Sequence, residues 1–228
     1  MKPFWQRASV KRLREEARAI GRFASRTLHD YETTASVLPS SRFLTRAMLA
    51  PLDFGSARAI VELGPGTGAL TRQILERMSP HATLYAIELD EVLAKGLANE
   101  VRDPRLQVIH GSAVDVRTLL SARGVTTVDA VISSLGLSLF PEDLRQAVLH
   151  AAVDVLRPDG VLTQYSYLHA RYAAFSLSRR EFAPWHARPF LEGHFHSVVS
   201  QFVGLNVPPA VAYACRAPRR ARSEATVS

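Results

Sequence analysis

The stretch Glu62-Leu63-Gly64-Pro65-Gly66-Thr67-Gly68 puts an acid two residues ahead of three alternating glycines, directly after the apolar run Ala59-Ile60-Val61. Glycines at such a turn let the backbone pass tightly beneath a ligand, and the helix that follows aims its N-terminus at it. The spacing is G-x-G-x-G, not the G-x-G-x-x-G of pyrophosphate sites. An acid at the strand end repels a pyrophosphate and suits a ligand that carries an ammonium and a sulfonium. Glu88 ends a second apolar run twenty-four residues after Gly64, where a carboxylate can accept both hydroxyls of a ribose. After a third run, His110-Gly111-Ser112-Ala113 stands where backbone groups can hold an adenine, with Ser112 as the side-chain acceptor. The plainer reading, that Glu62 and Glu88 are charges flanking helices, does not account for the glycines between them.

The elements that must position these residues alternate. The pattern predicts strands over Ala59–Leu63, Thr83–Glu88, Leu106–Ile109 and Val128–Ser133, and a fifth entered through Arg157-Pro158-Asp159-Gly160 and lasting to Tyr167. Between them it predicts helices over Ala69–Met78, Glu91–Val101 and from Pro141 to Leu156. Such alternation implies a parallel sheet covered on both faces. A short helix ending near Leu49 precedes the first strand, with Ser40 or Ser41 as its N-cap. Ser197–Leu205 and Ala210–Arg216 read as a hairpin around Asn206-Val207-Pro208-Pro209, with Asn206 stabilising the turn. Arg171 to Gly193 carries no clear period and is read as a lid.

With 228 residues, 47% hydrophobic and 21% charged, the composition is that of one globular α/β domain. Cys215 is the single cysteine, which excludes a disulfide within the chain and suits a reducing compartment. No signal-peptide core and no membrane-spanning run is read, so the expectation is cytoplasmic. Eight basic residues against three acidic between Met1 and Asp30 place +5 of the net +7 in that segment. From Gln6 to Leu28, Val10, Leu13, Ala17, Ile20 and Ala24 would line one face of a helix, and Arg7, Lys11, Arg14, Arg18, Arg22 and Arg26 the other. A basic amphipathic helix of this kind either caps the domain or meets an anionic surface. The domains expected are residues 1–45 as this basic cap, 46–218 as the catalytic domain and 219–228 as a flexible tail.

In the order and spacing of its motifs the sequence resembles the class I S-adenosylmethionine-dependent methyltransferases. More narrowly it resembles the bacterial phospholipid N-methyltransferases that act on phosphatidylethanolamine. The likeness lies in Val37-Leu38-Pro39-Ser40-Ser41, Val61 to Gly68, Glu88, Val131-Ile132-Ser133-Ser134-Leu135 running to Phe140-Pro141, Gln164-Tyr165-Ser166-Tyr167, and Asn206-Val207-Pro208-Pro209-Ala210. It departs from the family at Gly136, where a proline is usual, and at Ser112, where an aspartate is usual.

The resemblance implies a doubly wound, mainly parallel seven-stranded sheet with an antiparallel C-terminal hairpin. It implies S-adenosylmethionine held by Glu62, Gly64, Gly66, Thr67, Gly68, Glu88, Leu89, Ser112, Ala113 and Ser133. Its substrate would be an amine-bearing phospholipid, and its basic N-terminal helix would associate with the anionic inner face of the membrane. Methyl transfer to an amine needs alignment and a neutral nucleophile more than a strong base. Tyr165 and Tyr167 share a face of their strand and are the residues expected to orient the amine and receive a methylammonium by cation–π contact. His169, His194 and His196 are weaker candidates for that pocket. No metal site, protein partner or nucleic-acid partner is expected. Ribosomal RNA adenine dimethyltransferases share Val61 to Thr71 and are the alternative, but Ser133-Ser134-Leu135-Gly136 lacks the amide and aromatic ring their base-flipping chemistry uses. A catalytically inactive protein that keeps the cofactor and membrane sites is the other.

Overall fold

The computed structural model describes residues 39–171, 174–176 and 181–219, together with Glu15. Apart from Glu15, the expected amphipathic helix over Gln6–Leu28 lies outside the described residues, as does the tail from residue 220 onward.

The chain alternates as its apolar runs require: α1 (Pro39–Leu49), β1 (Ala59–Leu63), α2 (Ala69–Leu75), β2 (Thr83–Glu88), α3 (Glu91–Glu100), β3 (Leu106–His110), α4 (Val116–Ser121), β4 (Val128–Ser133), α5 (Glu142–Val155) and β5 (Leu156–Tyr167). A two-stranded ribbon, β6 (Ala174–Ser176) and β7 (Glu181–Ala183), then precedes α6 (Ala187–Glu192), β8 (Phe195–Val203) and β9 (Ala210–Pro218). The main sheet has seven strands in the order β3-β2-β1-β4-β5-β9-β8. β1 to β5 are parallel, and the β8–β9 hairpin adds to β5 antiparallel. This is the expected doubly wound architecture with its hairpin.

Several boundaries move for physical reasons. Helix α1 includes Ser40 and Ser41 instead of being capped by them, since a proline suits a first helical turn. The expected turn at Arg157–Gly160 is a bulge within β5, where the pairing with β4 shifts between Val128 and Ala130. β9 runs on to Pro218, and Ala217 lies unpaired between the partnered Arg216 and Pro218 with a left-handed backbone at φ 53°. The unassigned stretch after Arg171 contains the β6–β7 ribbon and α6.

Both faces of the sheet are buried, which is why β1 and β4 are nearly continuous apolar runs. One face packs Leu63, Ile87, Val131 and Leu162 under α4 and α5 through Val116, Leu120, Leu144, Val148 and Leu149. The other packs Ile60, Leu84, Ala130 and Ile132 under α1 and α2 through Leu44, Met48, Ile74 and Leu75. Among the described residues, no helix is long and apolar enough to cross a membrane. Strand order reverses between β1 and β4. Chains leaving the C-terminal ends of those strands turn to opposite faces, which opens a crevice at that rim.

The opposite rim is closed by one side chain. Asp129 Oδ2 accepts from Arg58 N–H at 2.8 Å and Ala59 N–H at 2.9 Å, and its Oδ1 accepts from Arg157 Nη1 at 2.7 Å. It thus ties the starts of β1, β4 and β5. Burial alone would raise its carboxyl, but the N–H groups of Ala59 and Arg58 and the Arg157 guanidinium outweigh this and hold it below the usual aspartate range. Replacing Asp129 with Ala should cost roughly 2–3 kcal/mol, the size expected when a charged hydrogen-bonding group is lost from a partly buried network, read by denaturant unfolding. Because the folded-state value is depressed, this contribution is fully present above the unfolded value of about 3.9 and is lost as pH falls through the folded value. The difference between parent and variant should therefore shrink in acid.

Candidate cofactor and acceptor site

The glycine-rich turn leaves β1 at the reversal point. Gly64, Gly66 and Gly68 have φ of 73°, 55° and 81°, a region that side chains strongly disfavour. At Gly64 a Cβ would stand 2.7 Å from Leu135 Cδ2, so that side chain would have to shift to admit one. At Gly68 a Cβ would collide with Leu97. The turn is fastened by Gly64 N–H to the Ile87 carbonyl at 3.0 Å and by Gly68 N–H to the Pro65 carbonyl at 2.9 Å.

Glu88, at the end of β2, is 7% exposed. Its Oε2 accepts from Gly66 N–H at 3.0 Å and its Oε1 from Asp90 N–H at 2.9 Å. Burial pushes this carboxyl up from its ordinary value, and the N–H groups of Asp90, Gly66 and Leu89 oppose the rise. Each carboxylate oxygen has a second lone pair, so the group can still accept two hydroxyls from a ribose. The donor set therefore fits a nucleoside. Asp90, which the sequence reading passed over, also caps α3 by accepting from Val92 N–H at 2.8 Å and Leu93 N–H at 3.1 Å. An acid directly before a helix start was the available signal.

Ser112 and Ala113 stand beside Glu88, because Gly111 N–H donates to the Glu88 carbonyl at 2.8 Å. Leu89, next in chain, lends its carbonyl to His110 Nε2 at 3.2 Å. Glu62 is fully buried and turns toward α2, where Thr71 Oγ1 donates to its Oε2 at 2.7 Å. Thr67 Oγ1 belongs to the turn itself, and its carbonyl accepts from Arg72 Nη1 at 2.9 Å. Ser133 is buried at the end of β4, with no hydrogen-bond partner for its Oγ among the described residues.

The segment after β4 forms the facing wall. Ser134 N–H donates to the Leu63 carbonyl at 2.9 Å. Gln164 Nε2 donates to the Leu135 carbonyl at 2.9 Å, and Tyr165 Oη reaches the Ser134 carbonyl at 3.4 Å. Neighbouring residues on β5 thus hold successive carbonyls of this wall from the two faces of the sheet. Gln164 is a positioning residue that sequence reasoning missed, since a contact across twenty-nine positions leaves no local pattern.

Tyr165 and Tyr167 share one face, as expected. Their ring centroids are 5.3 Å apart at 74°, and His169 stacks on Tyr167 at 5.7 Å and 12°. The two tyrosines lie along the end of β5, and His169 follows in the turn just beyond it. His194 does not join them: it is buried between α5 and α6, with Nδ1 2.9 Å from the Phe190 carbonyl and Nε2 2.9 Å from Gln146 Oε1. Burial lowers its pKa, and its proximity to His150 adds to that. His196 is exposed on β8. No group of three or more metal-ligating side chains occurs among the described residues.

Residues 60–160 match the family described as Methyltransferase domain. The chain is 31% identical over 183 residues to the ornithine lipid N-methyltransferase of Singulisphaera acidiphila, covering 80% of this chain and 88% of that one. A shorter likeness, 36% over 74 residues, is to the ribosomal RNA small subunit methyltransferase H of Acinetobacter baylyi, covering 32% of this chain and 24% of that one. Among solved structures, the fold is similar to that of the 1,6-didemethyltoxoflavin-N1-methyltransferase of Burkholderia thailandensis with bound S-adenosylhomocysteine. There the TM-score is 0.68 at 18% identity, over 93% of this chain and 92% of that one.

Gly66→Arg should abolish S-adenosylmethionine binding in calorimetric titration while circular dichroism stays that of the parent, because the side chain would fill the turn next to Glu88. Glu88→Ala should weaken binding by about tenfold to a hundredfold, the loss expected for two charge-assisted hydrogen bonds of roughly 1.5–3 kcal/mol partly replaced by water. An affinity unchanged by Glu88→Ala would place the ribose elsewhere.

Proposed function

Because the chain belongs to the class I S-adenosylmethionine-dependent methyltransferases, in one family with the lipid N-methyltransferase described above, we propose that it methylates the primary amine of a membrane lipid head group. The observation that carries this reading is the reach of the likeness on both sides. It covers 80% of this chain and 88% of the lipid enzyme at 31% identity, whereas likenesses to ribosomal RNA enzymes cover 32% of this chain and 24% of that enzyme at 36% identity, or 64% and 51% at 25% identity. Phosphatidylethanolamine, converted to its mono-, di- and trimethylated forms, is the head group we assign. Ornithine lipid, named for the relative, presents an amine of the same class.

S-adenosylmethionine supplies a methyl group on a sulfonium, open to attack by an amine. In our reading Glu88 holds the ribose, Leu89, Ser112 and Ala113 border the adenine, and the turn Gly64 to Gly68 with Glu62 and Ser133 holds the remainder. The acceptor reaches the crevice as an ammonium and must give a proton to water before its lone pair can form the new N–C bond, as the bond from methyl to sulfur breaks and S-adenosylhomocysteine, a neutral thioether, would leave. Removal from water and a nearby positive charge both favour that loss. Tyr165 and Tyr167 then orient the amine with their ring faces and oxygens. A methylammonium that has lost its hydrogen-bond donors is still attracted by an aromatic face, so the same rings serve each later transfer.

We place the protein in the cytoplasm, at the inner face of the membrane. The basic segment Gln6–Leu28 is its anchor in this reading, supported by sequence alone.

Expression in a bacterial host that contains phosphatidylethanolamine and lacks phosphatidylcholine, followed by lipid mass spectrometry, should yield mono-, di- and trimethylated phosphatidylethanolamine. Methylation of added ornithine lipid with phosphatidylethanolamine untouched would move the head group within the same class. Methyl incorporation into ribosomal RNA with all lipids unchanged would overturn the class. For the anchor, replacing Arg14, Arg18 and Arg22 with Glu should release the protein from anionic vesicles and leave S-adenosylmethionine affinity intact. Each basic residue near such a surface contributes roughly 1 kcal/mol, and added salt should weaken the parent in the same direction.

A further inference from the structure

The β8–β9 hairpin carries an apolar tip that the cofactor and acceptor site does not use. Phe202, Leu205 and Val207 are 62%, 69% and 64% exposed. They lie in a stretch, Gly193 to Cys215, without a single Asp, Glu, Lys or Arg, in a chain that is 21% charged. β8 is moreover the last strand of the sheet, and edge strands are ordinarily guarded by charge.

Register fixes where this tip sits. Tyr167, at the C-terminal end of β5, pairs with Ala210, and Ala210 pairs with Val203. The turn from Gly204 to Pro209 therefore projects from the same rim as the glycine-rich turn, Glu88 and the post-β4 wall. Leu168 N–H donates to the Pro209 carbonyl at 2.8 Å, so the tip is fastened to the chain where it leaves the tyrosines.

The turn is also built to lose water cheaply. Asn206 is buried, its N–H reaches the Val203 carbonyl at 3.4 Å and its Nδ2 donates to the Pro208 carbonyl at 2.7 Å. Pro208 and Pro209 have no N–H to desolvate. Each of these bonds lowers the penalty for entering an apolar medium, while the exposed side chains gain from it.

From these observations we propose that the tip formed by Phe202, Leu205 and Val207 enters the lipid bilayer and sets the rim of the crevice against the head groups. This rests on the lipid substrate proposed above. A soluble substrate would give an uncharged apolar projection at this rim nothing to do. An amine that belongs to a membrane lipid stays near the bilayer surface, so the crevice must be brought to it, and side chains reaching into the boundary between head groups and acyl chains do this. Basic segments attract the protein from a distance, whereas an inserted tip fixes its orientation.

The test uses the full chain and vesicles of phosphatidylethanolamine with phosphatidylglycerol. Leu205→Cys takes an environment-sensitive nitrobenzoxadiazole label selectively, since Cys215 is buried and its thiol is pushed up to about 12. On vesicles the label should shift to the blue and be quenched by lipids brominated along the acyl chain. Leu205→Ser with Val207→Ser should raise KM for vesicle substrate by about tenfold. It should leave kcat, S-adenosylmethionine affinity and the rate on short-chain, dispersed phosphatidylethanolamine unchanged. Should that pair of substitutions fail to fold, Leu205→Trp serves instead and should bind vesicles several-fold more tightly. A label that stays in water on vesicles overturns the proposal. So does a label already blue-shifted without lipid in a protein that sediments as a dimer, which would make the tip a contact between copies. Insertion without methylation of any lipid would strike the proposed substrate and leave the tip standing, and methylation of dispersed lipid without insertion would do the reverse.

Discussion

Gly64 has no side chain, and Leu135 fills the place where one would stand. The arrangement of the whole rim follows from that exclusion. The turn after β1 and the wall after β4 diverge because strand order reverses between them, and nothing in a parallel ladder would hold them at a fixed separation. Leu135 bridges the gap by packing over a bare α-carbon, and Ser134 extends the β1 ladder by one further bond to Leu63. Gln164 and Tyr165 then brace the wall from behind. The separation of the two walls is thus held by a van der Waals contact and three carbonyls, those of Leu63, Ser134 and Leu135, at or just after strand ends. Side chains at that rim are free to differ as long as those contacts are kept.

Most of this architecture was legible because each parallel strand is buried on both faces. Ala59–Leu63, Thr83–Glu88 and Val128–Ser133 read as largely apolar runs with a polar residue, Glu62, Glu88 and Ser133, at or next to the end that faces the crevice. Glu88 was recognisable in the same way, by its place and type. The hairpin, too, was announced by its two prolines and Asn206. Other features left no such trace. Three-residue strands such as β6 and β7 are too short to show a period. Asp129 lies between apolar neighbours on a strand, and only the register of β1 and β5 reveals that it serves both. His194 was a candidate for the acceptor pocket, but it is buried between α6 and α5, bonded to Phe190 and Gln146. Contacts made by Gln164 depend on which carbonyls come within reach after folding, which is a property of tertiary geometry and not of spacing.

The two rims of the sheet answer to different requirements. At one, Asp129 gathers the beginnings of three strands in a single carboxylate, and substitutions there act on the stability of the whole. At the other, the glycine-rich turn, Glu88 and the wall after β4 border the crevice. This separation allows a common scaffold to present different acceptor pockets, consistent with a fold shared at 18% identity with an enzyme whose named substrate is a small heterocycle.

The absence of charge from Gly193 to Cys215 has a further consequence for the protein away from a surface. A terminal strand with valine and phenylalanine exposed and no lysine to deter pairing is a template for another strand of its kind. Copies in free solution would compete for one another's edges, and the equilibrium would tighten steeply with concentration. If the hairpin tip enters a bilayer as proposed, the membrane would also hold copies of this strand apart from one another.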